Sequence, residues 1–172
     1  IAKYDYLHAV IIFKDHNPFV TDTEKIRDFL EVALKWLKKA NEYDKNAVYP
    51  FFMWNCLWKA GASLIHGHAQ ILISEKPYGK QAFLNCVRKN YYLTYKKEYF
   101  EDIYEVHKSL GLALTYNKVK ILSYLTPIKE KEFILLSNDF LELAKPISLI
   151  LKCYYNLGVR SFNLAIFMPP LN

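Results

Sequence analysis

The chain has 172 residues and a mass of 20.3 kDa, 52% hydrophobic and 23% charged, a composition that supports a packed core and excludes a disordered segment. No apolar run reaches the roughly 18 residues a membrane span needs, and no secretory signal is visible, so a soluble, non-membrane protein is expected. The net charge of +6 is scattered along helix-like stretches, which suits phosphate-bearing ligands and gives no nucleic-acid patch.

Taken in order, Leu7 to Phe13 (LHAVIIF) is a short apolar run suited to a buried strand. Lys14 to Val20 is a turn broken by Asn17-Pro18. Thr21 to Asp44 reads as a helix, with Thr21 or Thr23 as cap and Asp22 and Glu24 in its first turn. Its apolar stripe is Ile26, Phe29, Leu30, Ala33, Leu34 and Leu37. Tyr49 to Trp54 is an aromatic strand, and Asn55 to Lys59 leads from it into a small-residue stretch. Lys80 to Ser109 predicts one long or bent helix, with Tyr91, Tyr95 and Tyr99 at i+4 spacing as packing or a subunit contact. His107 near its end reads as an exposed residue complementing the helix dipole. Strands are predicted at Lys118–Leu125, Lys131–Leu136 and Ser161–Phe167, with a helix at Asp139–Tyr155.

The order strand, turn, helix, strand thus occurs twice, which reads as an internal structural repeat. Residues 1–117 form the first copy and 118–172 a partial second one. The chain starts Ile-Ala-Lys-Tyr and stops just after a strand-like run, so a piece of a larger fold is expected. Cys56, Cys86 and Cys153 are widely spaced and odd in number, which fits a reducing cytoplasm better than a disulfide framework.

The chemistry gathers at Ala60-Gly61-Ala62-Ser63-Leu64-Ile65-His66-Gly67-His68-Ala69-Gln70-Ile71-Leu72-Ile73. Read as a strand, its second half puts His66, His68 and Gln70 on one face and Gly67, Ala69, Ile71 and Ile73 on the other. Buried polar groups cost free energy unless partnered, so a sheet has no structural need of two imidazoles and an amide in a row. Gly61, Ala62 and Ser63 let backbone approach a ligand closely. An imidazole is a good nucleophile toward phosphorus if a neighbouring acceptor, such as a backbone carbonyl of the motif, holds the proton on its other nitrogen. Gln70, Asn55 and Ser63 are neutral donors around it, the electrostatic logic of phosphoryl and nucleotidyl transfer.

Asn55, Gly61-Ala62-Ser63 and His66-x-His68-x-Gln70 resemble the signature of the galactose-1-phosphate uridylyltransferase branch of the histidine-triad superfamily. There the third histidine of the triad is replaced by glutamine, as at Gln70, and a histidine follows Asp in the turn before the first long helix, as in Asp15-His16. The resemblance covers about residues 8–75 by motif and 118–168 as a repeat of the fold. It implies an α+β, histidine-triad-like fold of two strand-helix-strand units, forming a mixed, mainly antiparallel half-barrel sheet with helices packed on it. By the same resemblance His68 is the nucleophile that becomes nucleotidylated, and Gln70 holds the transferred phosphoryl group. Ser63 and Asn55 contact the nucleotide phosphates, with Gly61, Ala62 and His66 beside them in the binding segment. His16 and His66 match histidines that help hold a structural zinc in some members, which are often homodimers. Gly67 stands where the family commonly has Pro, and neither the family's upstream cysteines and base-binding segment nor its later His-x-His segment has a counterpart in these residues.

Plainer readings compete. His66 and His68 could be a structural pair, or a metal site alone. His16 could be an ordinary turn residue, Ser63 a turn cap, and Asn55 a partner of local backbone. Cys56 reads as core, and Asp15 as solvated. Three functions follow: transfer of a nucleoside monophosphate, UMP first, from a sugar nucleotide to a hexose 1-phosphate; a phosphorylase of dinucleoside polyphosphates or sugar nucleotides, with inorganic phosphate as acceptor; or a silent nucleotide- or metal-binding module.

Overall fold

A computed structural model of the chain describes residues 6–171; the first four residues discussed above, Ile1 to Tyr4, lie outside them. Contacts divide the chain into two units, 1–78 with 147–172, and 79–146. This division by contacts is a different boundary from the repeat boundary at 117/118.

In the first unit, β1 (Leu7–Ile12), β2 (Tyr49–Cys56), β3 (His68–Ser74) and β7 (Phe162–Phe167) form a sheet in the order β1-β3-β2-β7. All its pairings are antiparallel. Strand β2 alternates strictly between half-buried and buried side chains, as a strand with one covered face must. Phe52, Trp54, Cys56, Ala69, Ile71, Ile73 and Phe162 are buried on the covered side. Helix α1 (Thr23–Tyr43) lies against β1 and β3 and buries Ile26, Leu30, Ala33, Leu37 and Ala40. Each large aliphatic or aromatic side chain so covered contributes about 1.5–3 kcal/mol. Phe13 stacks face-on with Phe29 at 3.8 Å and meets Trp54 edge-on at 5.1 Å, so the strand end and the helix share one aromatic core.

The cap of α1 differs from the expectation. Asp22 sits outside the helix with extended φ and ψ and accepts from the Lys25 N–H, because a carboxylate there meets both the free amide and the positive end of the helix. Thr21 and Thr23 instead meet helix α4 (Ala144–Asn156): Ser148 Oγ donates to the Thr21 carbonyl at 2.6 Å and accepts from Thr23 Oγ1 at 3.0 Å. Asp15 is paired rather than simply solvated: Lys25 holds its carboxyl below the usual range through a hydrogen bond and charge.

In the second unit the long helix is two, α2 (Gly79–Tyr95) and α3 (Tyr99–Ser109), with the chain reversing at Lys96, φ 56. Tyr91 packs on Tyr95 and Tyr99, and its hydroxyl donates to Asp102 at 2.8 Å. The tyrosines therefore pack α2 against α3. Strands β4 (Ala113–Tyr116), β5 (Val119–Ser123) and β6 (Phe133–Leu136) form an antiparallel sheet. The sequence reading missed β4, a strand of four residues closed by the two-residue turn Asn117-Lys118 with Asn117 at φ 51. His107 is 5% exposed, which corrects the exposed reading. Its Nδ1–H donates to the Ile103 carbonyl at 2.7 Å and its Nε2 accepts from the Leu125 N–H at 3.1 Å, so as a neutral ring it bridges helix α3 and the backbone after β5.

Candidate active site

The face of the first sheet opposite helix α1 carries the motif. Register fixes it: Val10 lies opposite Gln70, Ile12 opposite His68 and Met53 opposite Gln70, while Asn55 lies opposite Asn163. Because side chains alternate, His68, Gln70, Asn55, Asn163 and His8 all belong to this one face. His68, Gln70 and Asn55 are half-buried, and Asn163 is exposed.

His68 Nδ1 lies 2.9 Å from the His66 carbonyl oxygen. A carbonyl only accepts, so the ring hydrogen sits on Nδ1 and the Nε2 lone pair is left free; Nε2 has no hydrogen-bond partner among the described residues. Gln70 Oε1 is 3.1 Å from His8 Nε2, which must carry the hydrogen. The Gln70 NH2 is thereby turned away from that bond and finds no partner among the described residues. Asn55 is in the same state: its Oδ1 accepts from Asn163 at 2.8 Å, and its NH2 is unengaged among the described residues. A nucleophilic nitrogen and two neutral donors with open valences thus share a face, a cradle that adds no charge of its own to a phosphate.

His66 does not continue the strand. β3 begins at His68, and His66 Nε2 donates to the Phe13 carbonyl at 2.7 Å while its Nδ1 faces His16 Nδ1 at 2.8 Å. The expectation of His66, His68 and Gln70 in one strand row therefore holds only for the last two. The anchored Nε2–H leaves the His66 Nδ1 lone pair toward His16, the way an outer hydrogen bond orients a zinc-binding imidazole. Two imidazoles are half of a tetrahedral set, and no group of three or more His, Cys, Asp or Glu side chains placed to hold a metal occurs among the described residues.

Ser63 is exposed and Ala62 buried in the loop between β2 and β3. That loop opens on a short 3-10 turn, Trp58–Ala60, closed by Gly61 at φ 85, where a side chain would be strained although space is open. Leu57 has φ 67 and ψ 170, a region almost confined to glycine that costs about 1–3 kcal/mol. Its carbonyl accepts from the Ala60 and Ala62 N–H groups. Ser161 Oγ, just before β7, donates to the Cys56 carbonyl at 2.6 Å, and Asn163 Nδ2 of β7 donates to the Ala60 carbonyl at 2.6 Å. Cys56 itself is buried core, and burial pushes its thiol up to about 12.

His8 and Asn163 are the site-face residues the sequence reading did not single out. His8 looked like an ordinary member of an apolar strand. Asn163 becomes a neighbour of Asn55 only through pairing across 108 residues of sequence.

No family model matches the sequence, and no curated protein matches it. Solved structures do match. A uridylyltransferase shares 16% identity with a TM-score of 0.76 over 96% of this chain and 58% of its own. A GalT-like protein from Arabidopsis thaliana shares 19% at 0.75 over 95% and 58%. An ADP-glucose phosphorylase from Arabidopsis thaliana, solved with ADP-glucose, shares 17% at 0.70 over 95% and 56%. The chain spans less than two thirds of the length of each, and no helix of the described residues is long and apolar enough to cross a membrane. By fold this chain is an α+β protein, built as those uridylyltransferase, GalT-like and phosphorylase structures are.

Proposed function

We propose that the chain carries the nucleotidyl-transfer centre of a sugar-nucleotide enzyme, moving a nucleoside monophosphate, UMP first, to a hexose 1-phosphate by way of His68. The observation that supports this most directly is the His68 Nδ1–H held on the His66 carbonyl at 2.9 Å. Nε2 attacks the α-phosphorus of the sugar nucleotide. The N–P bond forms as the bond from that phosphorus to the bridging oxygen breaks, and hexose 1-phosphate leaves. A phosphate oxygen of the incoming hexose 1-phosphate then attacks phosphorus, the N–P bond breaks, and the Nε2 lone pair is restored. Through both steps Nδ1 keeps its proton, and the positive charge the ring gains while the N–P bond exists is eased by the carbonyl that holds it. Gln70 and Asn55 NH2 groups meet the phosphoryl oxygens, and Ser63 in the loop does the same for the neighbouring phosphate. In this reading His16 and His66 supply two of the ligands of a structural zinc, which would tie the β1 turn to the motif.

The second reading keeps the nucleotidyl-histidine and uses inorganic phosphate as acceptor. It is favoured by the likeness to a phosphorylase solved with ADP-glucose. Incubation with α-labelled UDP-glucose and, separately, ADP-glucose or diadenosine tetraphosphate should give an acid-labile, base-stable protein adduct that His68→Ala abolishes. Discharge by hexose 1-phosphate supports the transferase, and discharge by phosphate alone the phosphorylase. A folded protein that forms no adduct with any of them is a binding module, and the proposal is wrong.

A further inference from the structure

One β7 side chain, Asn163, holds both Asn55 and the turn that follows it, and hydrogen-bond chemistry fixes which way that side chain points. The Ala60 carbonyl lies 2.6 Å from the Asn163 amide and can only accept, so the Asn163 nitrogen faces it. The same nitrogen lies 2.8 Å from the Asn55 amide, where only an oxygen can receive its second hydrogen. Both Asn163 hydrogens are then used, and the Asn55 amide is locked with oxygen toward β7 and NH2 toward the open face beside His68. The Ala60 bond also closes the turn in which Leu57 is kept at φ 67, a backbone state that persists only where its surroundings over-determine it.

We propose that Asn163 is a positioning residue of the transfer site: one amide nitrogen sets the Asn55 donor toward substrate phosphate and holds shut the strained turn that carries Gly61, Ala62 and Ser63. The role rests on the nucleotidyl-transfer reading above and extends it to a residue contributed by β7, remote in sequence from the motif.

Two replacements separate this role from mere support. Asn163→Ala removes both bonds. Asn163→Asp keeps the size but offers acceptors in place of donors, which turns the Asn55 amide round so that its NH2 serves position 163. A support role predicts equal adduct rates for the two when both are folded. The orienting role predicts that, with saturating labelled UDP-glucose, Asn163→Asp forms adduct roughly tenfold or more slowly than Asn163→Ala, which is itself slower than the unsubstituted protein. Leu57→Gly removes the strain, so the melting temperature lost in Asn163→Ala should be partly regained in the double variant; should Asn163→Ala not fold alone, the Leu57→Gly background carries the same comparison. Equal adduct rates for the two replacements, or rates matching the unsubstituted protein, overturn the proposal. If the unsubstituted protein forms no adduct, the transfer reading falls, and the tether is judged on the Asn55 side-chain amide NMR signals. Their displacement in Asn163→Asp supports it, and their invariance refutes it.

Discussion

Gly67 stands between the two motif histidines, and a single methyl group added there tests how the site is built. A Cβ at Gly67 would lie 2.4 Å from Phe13 Cδ2, 3.2 Å from Phe13 Cε2 and 3.1 Å from Pro18 Cα, against about 3.5–4.0 Å for carbon atoms in contact. The ring would have to move by more than about 1 Å, and it has little room to do so. Phe13 is 2% exposed, with Phe29 stacked on it at 3.8 Å and Trp54 edge-on at 5.1 Å. Gly67→Ala should therefore cost about 2–3 kcal/mol, the upper range for an overpacked core. At about 2–4 °C per kcal/mol for a chain of this size, the melting temperature should fall by about 4–12 °C. The disturbance reaches the histidines, because the Phe13 N–H donates to the Gly67 carbonyl and the Phe13 carbonyl accepts from His66. Phe13→Val deletes both ring atoms that clash, so Gly67→Ala should cost much less in that background, and a four-variant melting cycle isolates the coupling. A melting temperature within 1 °C of the parent, or the same cost in both backgrounds, would refute the account. The same contact explains why glycine and not proline fits here, since proline carries the same Cβ.

Three further outcomes follow from individual residues. A thiol reagent at pH 8 should label Cys86 and Cys153, which are exposed, and should reach Cys56 only on unfolding, because burial raises that thiol to about 12; labelling of three thiols in the folded protein contradicts this. His107→Phe keeps a ring beside Tyr124 but leaves the Leu125 N–H without its acceptor, at a cost of about 1–3 kcal/mol. Faster hydrogen exchange at the Leu125 amide is the readout, and unchanged exchange argues against the bond. The Tyr6 hydroxyl donates to Asp44, which holds that carboxyl below its usual range and pushes the phenol up to about 12. The carboxylate's contribution to stability is complete above its unfolded value and is lost as pH falls through the lower folded one. The phenol's contribution is complete below its unfolded value and is lost as pH rises through about 12. The melting difference between the parent and Tyr6→Phe should thus be flat near neutrality and shrink toward both extremes, and a difference that persists in strong acid would count against it.

Strand β2, helix α1 and strand β3 were legible in the sequence because their periods of 2 and 3.6 are written in successive residues. For the same reason the sequence alone put His68 and Gln70 side by side on one face and Cys56 in the core. It could not place the cap at Asp22 instead of Thr21 or Thr23, because the threonines' partner, Ser148, lies more than a hundred residues away. Nor could it find β4, whose four residues are too few to show a period, or the burial of His107, which depends on the Leu125 N–H reaching it. The motif determined which groups are available for chemistry. The tertiary structure decided their states: which nitrogen of His68 is free, where His66 turns, and which way the Asn55 amide faces. Those are set by carbonyls and amides brought within about 3 Å by strand pairing and loop closure, and pairing between distant strands leaves no mark in the local order of residues.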